Sequence, residues 1–285
     1  MRLSFFLLAL VPALLHSAPV QDAASLKQRL AAAQAGQVIE ITDGRFEIDG
    51  PLLIPSGVTL KGAGMGKTIL THDATFAGNP ATLPDPETNA AKFDRSGYLL
   101  HCADKAENIT LSDLTLTGPK LHGAIFAQSN HGLRLHHLSI EDFMYCGVRT
   151  YSLKEARIHD CTFVDAGMRW QKGEPGLKGG IVGGGIFCIW TQDSEIWNNR
   201  FLRTKTEKHE HYYGIKGRQG KRLRIHHNTI EVNFSIEFPF EGDEDIEIAH
   251  NVLHGTVSIP THSGGPVPPS GRPFHIHHNL FKDTY

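Results

Sequence analysis

The stretch IHHNTI, residues 225–230, recurs in altered form along much of the chain. Six other stretches share its pattern, with an apolar residue at the first position and another five positions later. They are LSDLTL (111–116), LHHLSI (135–140), IHDCTF (158–163), IWNNRF (196–201), IAHNVL (248–253) and IHHNLF (276–281). Successive copies start between 23 and 38 residues apart. A repeat of this length indicates a solenoid, in which each copy belongs to one coil of the chain.

The local sequence of the copies favours strands over helices. Helical solenoids need long amphipathic helices, whereas these copies are short, rich in β-branched residues and interrupted by glycine, asparagine and histidine. We therefore predict an all-β fold, a parallel β-helix or β-solenoid. Each strand then pairs with the equivalent strand about 4.8 Å away in the next coil, and equivalent residues stack in columns.

The fourth position of the repeat changes from leucine to asparagine along the chain. It is occupied by Leu114, Leu138, Cys161, Asn199, Asn228, Asn251 and Asn279. Stacked asparagine side chains can hydrogen-bond along a column, and asparagine tolerates a tight bend. We predict a hydrogen-bonded asparagine column at a bend between strands.

A second repeated feature lies eleven residues before three of the copies. It reads GVRT (147–150), GIFC (185–188) and GIKG (214–217). Alternation along a strand sends the second residue of each inward and the third outward. The outward residues are Arg149, Phe187 and Lys216, which should share one face, whereas Thr150 and Cys188 should return to the core.

The N-terminus is typical of an exported protein. A basic residue, Arg2, precedes an apolar run from Leu3 to Leu15 that is too short to span a bilayer. We predict a signal peptide over residues 1–18 and a secreted or periplasmic location.

Residues 19–285 should form one β-helix domain. An amphipathic helix over Ser25 to Ala35 is expected to cover its open end, where strand edges need protection. The last repeat ends four residues before Tyr285, so we expect the chain to be truncated at its C-terminal end.

The segment DGRFEIDGPLLIPSGVTLKGAGMGKTIL, residues 43–70, resembles the first coils of exported right-handed parallel β-helix proteins of the pectate-lyase-like superfamily. The resemblance extends from Gln37 to the end of the chain. It implies the fold and says little about activity.

Part of this segment, GAGMGKT (62–68), looks like a phosphate-binding loop. That motif needs a glycine five residues before its second glycine, where this chain has Lys61, and it should open a helix, whereas strand-like residues follow here. We predict a bend between strands and no nucleotide binding. The net charge of −2 also gives no electrostatic case for nucleic acid or membrane binding.

Three long insertions, 72–98, 165–185 and 203–213, should rise as loops beside the outward face. They bring cationic and aromatic residues to it. Such residues suit an acidic polysaccharide, because cations bind carboxylates or sulfates and aromatic faces pack on sugar rings. The predicted substrate contacts are Arg149, Tyr151, Arg169, Trp170, Phe187 and Tyr212.

Polysaccharide β-elimination needs a base beside the uronate carboxylate, and positive charge or a metal to stabilise an enolate-like intermediate. Lys216 is the candidate base, with cationic neighbours such as Arg218 favouring its neutral form. Tyr213 and His211 are candidates for the second proton transfer.

The stretch HEHYYGIKGRQGKRLRIHHNTI (209–230) resembles, more weakly, the catalytic coil of the chondroitinase B and alginate lyase family. The resemblance implies a lysine base at Lys216, two calcium-binding glutamates at His209 and His211, and an arginine at Glu237. Histidine is a poor calcium ligand. Only the lysine therefore transfers, and the participation of a divalent cation such as calcium stays open.

Histidine pairs at 136–137, 226–227 and 277–278, with His159 and His250 in line, could bind zinc or copper if stacked. We favour a role in the repeat itself, and consider the loop residues His209 and His211 better metal candidates. The cysteines Cys102, Cys146, Cys161 and Cys188 match no zinc spacing. Disulfides and buried thiols both stay open for them.

A hydrolase would need paired carboxylates about 5–10 Å apart. Glu237 and the EGDED stretch (241–245) offer carboxylates, but EGDED is typical of a solvated turn. We predict a monomeric, secreted protein that acts on an acidic, uronate-containing polysaccharide, with lyase as the leading activity. The alternatives are a non-catalytic carbohydrate-binding or surface β-helix protein, and a hydrolase or epimerase on the same fold.

Overall fold

Parallel strands connected by short bends make up most of the computed structural model, which describes residues 18–76, 96–167, 183–204, 212–238, 242–259 and 274–282. The strands within these residues are β1 (Val38–Glu40), β2 (Gly44–Ile48), β3 (Leu52–Ile54), β4 (Thr59–Lys61), β5 (Thr68–His72), β6 (Tyr98–Cys102), β7 (Thr110–Thr117), β8 (Gly123–Gln128), β9 (Arg134–Glu141), β10 (Cys146–Tyr151), β11 (Arg157–His159), β12 (Thr162–Val164), β13 (Gly183–Ile189), β14 (Gln192–Trp197), β15 (Arg200–Leu202), β16 (Tyr212–Arg218), β17 (Lys221–His226), β18 (Thr229–Glu231), β19 (Phe234–Glu237), β20 (Ile246–Ala249), β21 (Val252–Leu253), β22 (Thr256–Ser258), β23 (Phe274–His277) and β24 (Leu280–Phe281).

The strands form two sheets that wind around a common interior. The smaller sheet runs β22-β19-β16-β13-β10-β8-β6-β3, and the larger one contains the sixteen other strands. The strand pairs are parallel and join one coil to the next. The structure therefore confirms the predicted right-handed parallel β-helix.

One short helix, α1 (Ala23–Ala32), packs against the first strands. Leu26 and Leu30 are its buried residues, and the helix begins and ends earlier than the predicted 25–35. It begins earlier because Asp22 caps it by accepting a 2.7 Å hydrogen bond from the Ser25 amide. It ends earlier because the next residue, Ala33, is already extended.

Columns of equivalent apolar residues fill the interior. The first repeat position aligns Leu135, Ile158, Ile196, Ile225 and Ile248, all buried. The sixth position aligns Phe163 with Phe201, whose rings stack with centroids 4.6 Å apart. Each buried isoleucine or phenylalanine contributes about 1.5–3 kcal/mol to folding. The apolar positions of the repeat thus form a continuous core.

The asparagine column forms the predicted hydrogen-bond ladder. Asn199 donates from its backbone and side-chain nitrogens to Asn228 Oδ1, and Asn228 donates likewise to Asn251 Oδ1, at 2.9–3.0 Å. Asn251 repeats this with Asn279. The ladder crosses successive coils along one edge of the core.

The bend itself lies one residue before the asparagine column, which corrects the prediction. These preceding residues have left-handed backbone, with φ between 51° and 58°, and are Asp113, His137, Asp160, Asn198, His227, His250 and His278. Asparagine, aspartate and histidine are the non-glycine residues that tolerate this conformation best. The ladder asparagine follows the bend and satisfies the backbone groups there.

The GAGMGKT segment is the bend between β4 and β5, as predicted. Gly66 has φ +75°, and a side chain at Gly62 would lie 2.2 Å from the Asp113 carbonyl oxygen. Glycine is needed at both positions, for conformation and for space respectively.

All four cysteines are buried in the described part of the chain, and no disulfide joins them. Cys188 lies in the core as predicted. Across the described ranges, no helix has the length and apolar character needed to cross a membrane.

Candidate functional site

Four strands of the smaller sheet place one outward-facing side chain each in a single column. The register aligns Arg149 with Phe187, Phe187 with Lys216, and Lys216 with Glu237. The first three confirm the predicted alternation. Their neighbours Val148, Ile186 and Ile215 lie in the interior core. We call this column the outward column.

The first half of the outward column is covered rather than open. Arg149 and Phe187 are each only 3% exposed. Arg149 Nε donates to the Tyr151 hydroxyl at 2.8 Å, and its guanidinium also donates to the Tyr145 hydroxyl. The Phe187 ring meets the Tyr145 ring edge-on, with centroids 5.3 Å apart. Arg149, Tyr151 and Phe187, predicted as substrate contacts, therefore lie beneath the surface.

A second apolar cluster outside the main core explains this burial. It consists of Tyr98, Phe126, Met144, Tyr145, Cys146, Tyr151, Phe187 and Tyr213. The Arg149 guanidinium carbon lies 5.0 Å and 5.2 Å from the ring centroids of Tyr145 and Tyr151. Aromatic faces and phenol oxygens thus stabilise this buried cation. Burial also raises the pKa of Tyr98, which keeps its phenol neutral.

The second half of the outward column carries an ion pair. Lys216 Nζ lies 2.9 Å from Glu237 Oε2, and the two side chains are 22% and 13% exposed. The same Nζ lies 4.4 Å from the centroid of the Tyr213 ring. The charged group next to Lys216 Nζ is thus a carboxylate. This differs from the expectation that cationic neighbours surround Lys216.

A cleft of about 580 Å³ is lined in part by Phe234, which lies three residues before Glu237 on β19. Its lining residues are Arg203, Glu231, Val232, Asn233, Phe234, His254, Gly255 and Thr256. The Phe234 ring contacts the Tyr213 ring, with centroids 5.0 Å apart. A path of aromatic contacts therefore leads from Lys216 through Tyr213 and Phe234 to the cleft.

Sequence reasoning missed the cleft residues, although the repeat contained a signal for them. Glu231 and His254 each lie six residues after the start of a repeat, at 225 and 248, and so occupy equivalent places in successive coils. The sixth position of the repeat is buried. A polar residue that follows it in successive coils indicates a surface at the place where the chain leaves the larger sheet.

The other predicted site residues are not brought to one place. Tyr212 is fully buried in the interior core, where burial raises its pKa, so we leave it out of the candidate site. Arg218 lies at the last position of β16 and is aligned with Ile189. Four residues lie outside the described residues, namely Arg169, Trp170, His209 and His211.

The EGDED stretch was predicted to be a solvated turn, but one of its carboxylates is buried. Asp243 is only 4% exposed, and burial raises the pKa of its carboxyl to about 6. Its Oδ1 accepts a 2.7 Å hydrogen bond from the Gly220 amide. This carboxylate therefore fixes the bend between two coils.

The histidines stack as predicted from the repeat. The rings of His136 and His159 lie parallel with centroids 5.2 Å apart, and those of His227 and His250 are stacked at 5.1 Å. In the larger sheet His250, His277 and His278 also bring three ring nitrogens together, within 4.8 Å of one another. These are the residues in the described ranges best placed to hold a metal ion.

Residues 104–285 match the family described as right handed beta helix region. The chain belongs to this right-handed beta helix family. The matched range covers more than half of the chain and includes the outward column and the cleft. No curated protein sequence matches this right-handed beta helix protein.

Several solved structures share its fold. A family 28 exopolygalacturonase of Yersinia enterocolitica is 12% identical, with a TM-score of 0.56 over 93% of this chain and 63% of that one. The tailspike protein of E. coli bacteriophage HK620, in complex with a pentasaccharide, is 8% identical, with a TM-score of 0.55 over 91% of this chain and 52% of that one. A DFA-IIIase of Arthrobacter chlorophenolicus A6 is 12% identical, with a TM-score of 0.52 over 91% of this chain and 70% of that one.

At these identities the likeness establishes the fold alone. This right-handed beta helix protein also spans less than two thirds of the length of the exopolygalacturonase and of the tailspike.

Proposed function

We propose that this right-handed beta helix protein is a secreted enzyme that cleaves an acidic, uronate-containing polysaccharide by β-elimination. The observation that carries the proposal is the Lys216–Glu237 ion pair, mostly withdrawn from solvent on the outward column and joined to a cleft by Tyr213 and Phe234. A paired cation and carboxylate beside aromatic rings can bind a charged sugar and move a proton. The polysaccharide-related names of its structural neighbours are compatible with this substrate class.

β-Elimination removes the proton next to the uronate carboxylate, and the electron pair of that C–H bond forms a new C=C double bond. The glycosidic C–O bond on the adjacent carbon breaks, and the leaving oxygen takes up a proton. The step needs a base, and a cation to stabilise the negative charge that develops on the carboxylate. The described residues provide one group of each kind at the ion pair.

We assign the two roles by charge. In the ion pair Lys216 is the cation and Glu237 the carboxylate, and an ammonium cannot accept a proton. Lys216 therefore stabilises the substrate carboxylate, and Glu237 is the base. Tyr213, whose ring centroid lies 4.4 Å from Lys216 Nζ, stays the candidate for the second proton transfer. This assignment differs from the lysine base that the family resemblance implies.

Three variants test the assignment, each assayed by the ultraviolet absorbance of unsaturated uronate product from alginate, pectate, chondroitin and heparin, with and without calcium. Glu237→Gln should lower kcat by about 10²–10⁴-fold, the usual contribution of a general base. Lys216→Ala should lower it by about 10²–10³-fold, whereas Lys216→Arg, which keeps the charge, should stay within about tenfold of the original enzyme.

Other results would support a different reading. If Lys216→Arg is as inactive as Lys216→Ala while Glu237→Gln stays active, Lys216 is the base. New reducing ends without an absorbance change would make the protein a hydrolase. Retained binding of one polysaccharide with no product of either kind would make it a carbohydrate-binding protein, and the elimination mechanism would be refuted.

A further inference from the structure

Three histidines from two successive coils meet at one edge of the larger sheet. His250 lies between β20 and β21, His277 ends β23, and His278 follows it. One ring nitrogen from each lies within 4.8 Å of the other two. The two Nδ1 atoms of His277 and His278 are only 2.8 Å apart. This is a hydrogen-bond distance, so one of the two nitrogens carries a proton, which a bound metal ion would displace.

The solenoid backbone fixes this arrangement. His250 and His278 occupy the same left-handed bend position in neighbouring coils, with φ 56° and 54°. Their rings stack with centroids 5.0 Å apart, a separation set by the spacing of the coils. The coils thus hold the three imidazoles close together, and binding one ion requires the rings to turn about their side-chain bonds while the backbone stays in place.

The carboxylate of Glu247 contacts the ring nitrogen of His277 that faces away from His278. Glu247 Oε1 lies 3.3 Å from His277 Nε2, and Arg224 Nε donates to the other oxygen, Oε2, at 2.8 Å. A carboxylate at Nε2 holds the proton there and leaves Nδ1 of His277 as the lone-pair donor.

The neutral imidazole is the form of histidine that binds a metal ion. A carboxylate that orients one histidine, absent from the sequence argument, now accompanies the three ligands.

Two other pairs provide an internal comparison. His136–His137 and His226–His227 show the same contact between Nδ1 atoms, at 2.9 Å and 2.8 Å. Over the described ranges, however, only the His250, His277 and His278 group brings three ligand nitrogens together. The paired contact belongs to the repeat, and the third nitrogen distinguishes this group.

We propose that His250, His277 and His278 bind a divalent transition metal ion, zinc or copper. Imidazole nitrogen is a preferred ligand of both ions. Three protein ligands leave a fourth position open for water or an added ligand. The ion would join two neighbouring coils on the larger sheet, whereas the Lys216–Glu237 pair lies on the smaller sheet.

The experiment titrates Zn²⁺, and separately Cu²⁺, into the full chain purified without a histidine tag and stripped with chelator. Calorimetry gives the affinity and stoichiometry. The key variant is His278→Asn, since asparagine tolerates the left-handed bend and already occupies the equivalent position at Asn198. The matched control is His137→Asn, at the same bend position in a coil without a third nitrogen.

We expect one equivalent of metal for the original chain and for His137→Asn. His278→Asn should weaken binding by at least about tenfold, and Glu247→Gln by about tenfold. Zinc should raise the unfolding temperature of the first two proteins and not of His278→Asn. The Cu²⁺ complex should show imidazole nitrogen couplings in its electron paramagnetic resonance spectrum. Absent stoichiometric binding, or equal affinity in His278→Asn, overturns the proposal.

Discussion

Replacing Asn228 with alanine removes the central member of the asparagine ladder. Its Oδ1 accepts hydrogen bonds from the backbone and side-chain nitrogens of Asn199, both at 3.0 Å. Its Nδ2 donates to the carbonyls of Ile196 and His226 and to Asn251 Oδ1, each at 3.0 Å. Asn228 is 1% exposed, so water cannot replace these bonds without entering the core.

The expected loss of stability follows from the groups left behind. The Asn199 side chain keeps its bond to the Ile158 carbonyl, and Asn251 Oδ1 keeps the Asn228 amide. The backbone amide of Asn199 and the backbone carbonyl of Ile196 lose the hydrogen bond that they make with the Asn228 side chain. A buried polar group left unsatisfied costs about 1–3 kcal/mol, so two of them predict a loss of about 2–6 kcal/mol in the free energy of unfolding.

Asn279→Ala is the matched control. Asn279 makes the same type of bonds to Asn251, but at a partly exposed position where water can take over. We expect it to lose about 1 kcal/mol or less. Urea unfolding followed by circular dichroism measures both variants, with the denaturant slope checked for constancy. Equal losses in the two variants, or a loss below about 1 kcal/mol for Asn228→Ala, would refute the view that buried ladder bonds stabilise the bends.

Two further predictions concern buried charged groups. Asp243 has its pKa raised by burial from 3.8 to about 6, so its contribution to stability is present below 3.8 and is lost as the pH rises through about 6. Asp243→Asn keeps the hydrogen-bond acceptor for Gly220 but has no charge to gain. In this variant the free energy of unfolding should fall by about 1–3 kcal/mol less between these pH values, as measured by urea unfolding. Arg149→Lys replaces the two separate nitrogens that donate to Tyr151 and Tyr145 with a single ammonium, and it should destabilise the fold by about 1–3 kcal/mol in thermal unfolding. Unchanged stability with weakened polysaccharide binding would instead restore Arg149 as a substrate contact.

The fold could be predicted because its information is local and repeated. The first and sixth repeat positions identified the interior columns, and period-two alternation correctly directed Val148, Ile186 and Ile215 inward. Both signals depend on the chain passing the same place once per coil. The position of the bend was predicted one residue late, because the hydrogen-bonding asparagine and its left-handed neighbour both favour bends.

The candidate site could be predicted only in part. Alternation gives the side of a strand that a residue occupies, but not what covers it, so the burial of Arg149 under Tyr145 was not foreseen. The pairing of Lys216 with Glu237 was not predicted, because the two residues lie at different distances from their repeats. Lys216 lies nine residues before its repeat at 225, whereas Glu237 lies eleven before the repeat at 248. Two extra residues in the intervening loop removed the match.

The left-handed bend has a consequence for how this protein can change in length. Each bend residue and the asparagine after it interact with the adjacent coil, as His250 does with His278 and Asn228 with Asn251. The interactions that stabilise one coil therefore come from that coil and its neighbours. We therefore expect a complete coil to be the unit that can be duplicated or deleted, because it presents matching surfaces at both junctions. Length is thus a quantity that evolution, or an engineer, can adjust in whole coils.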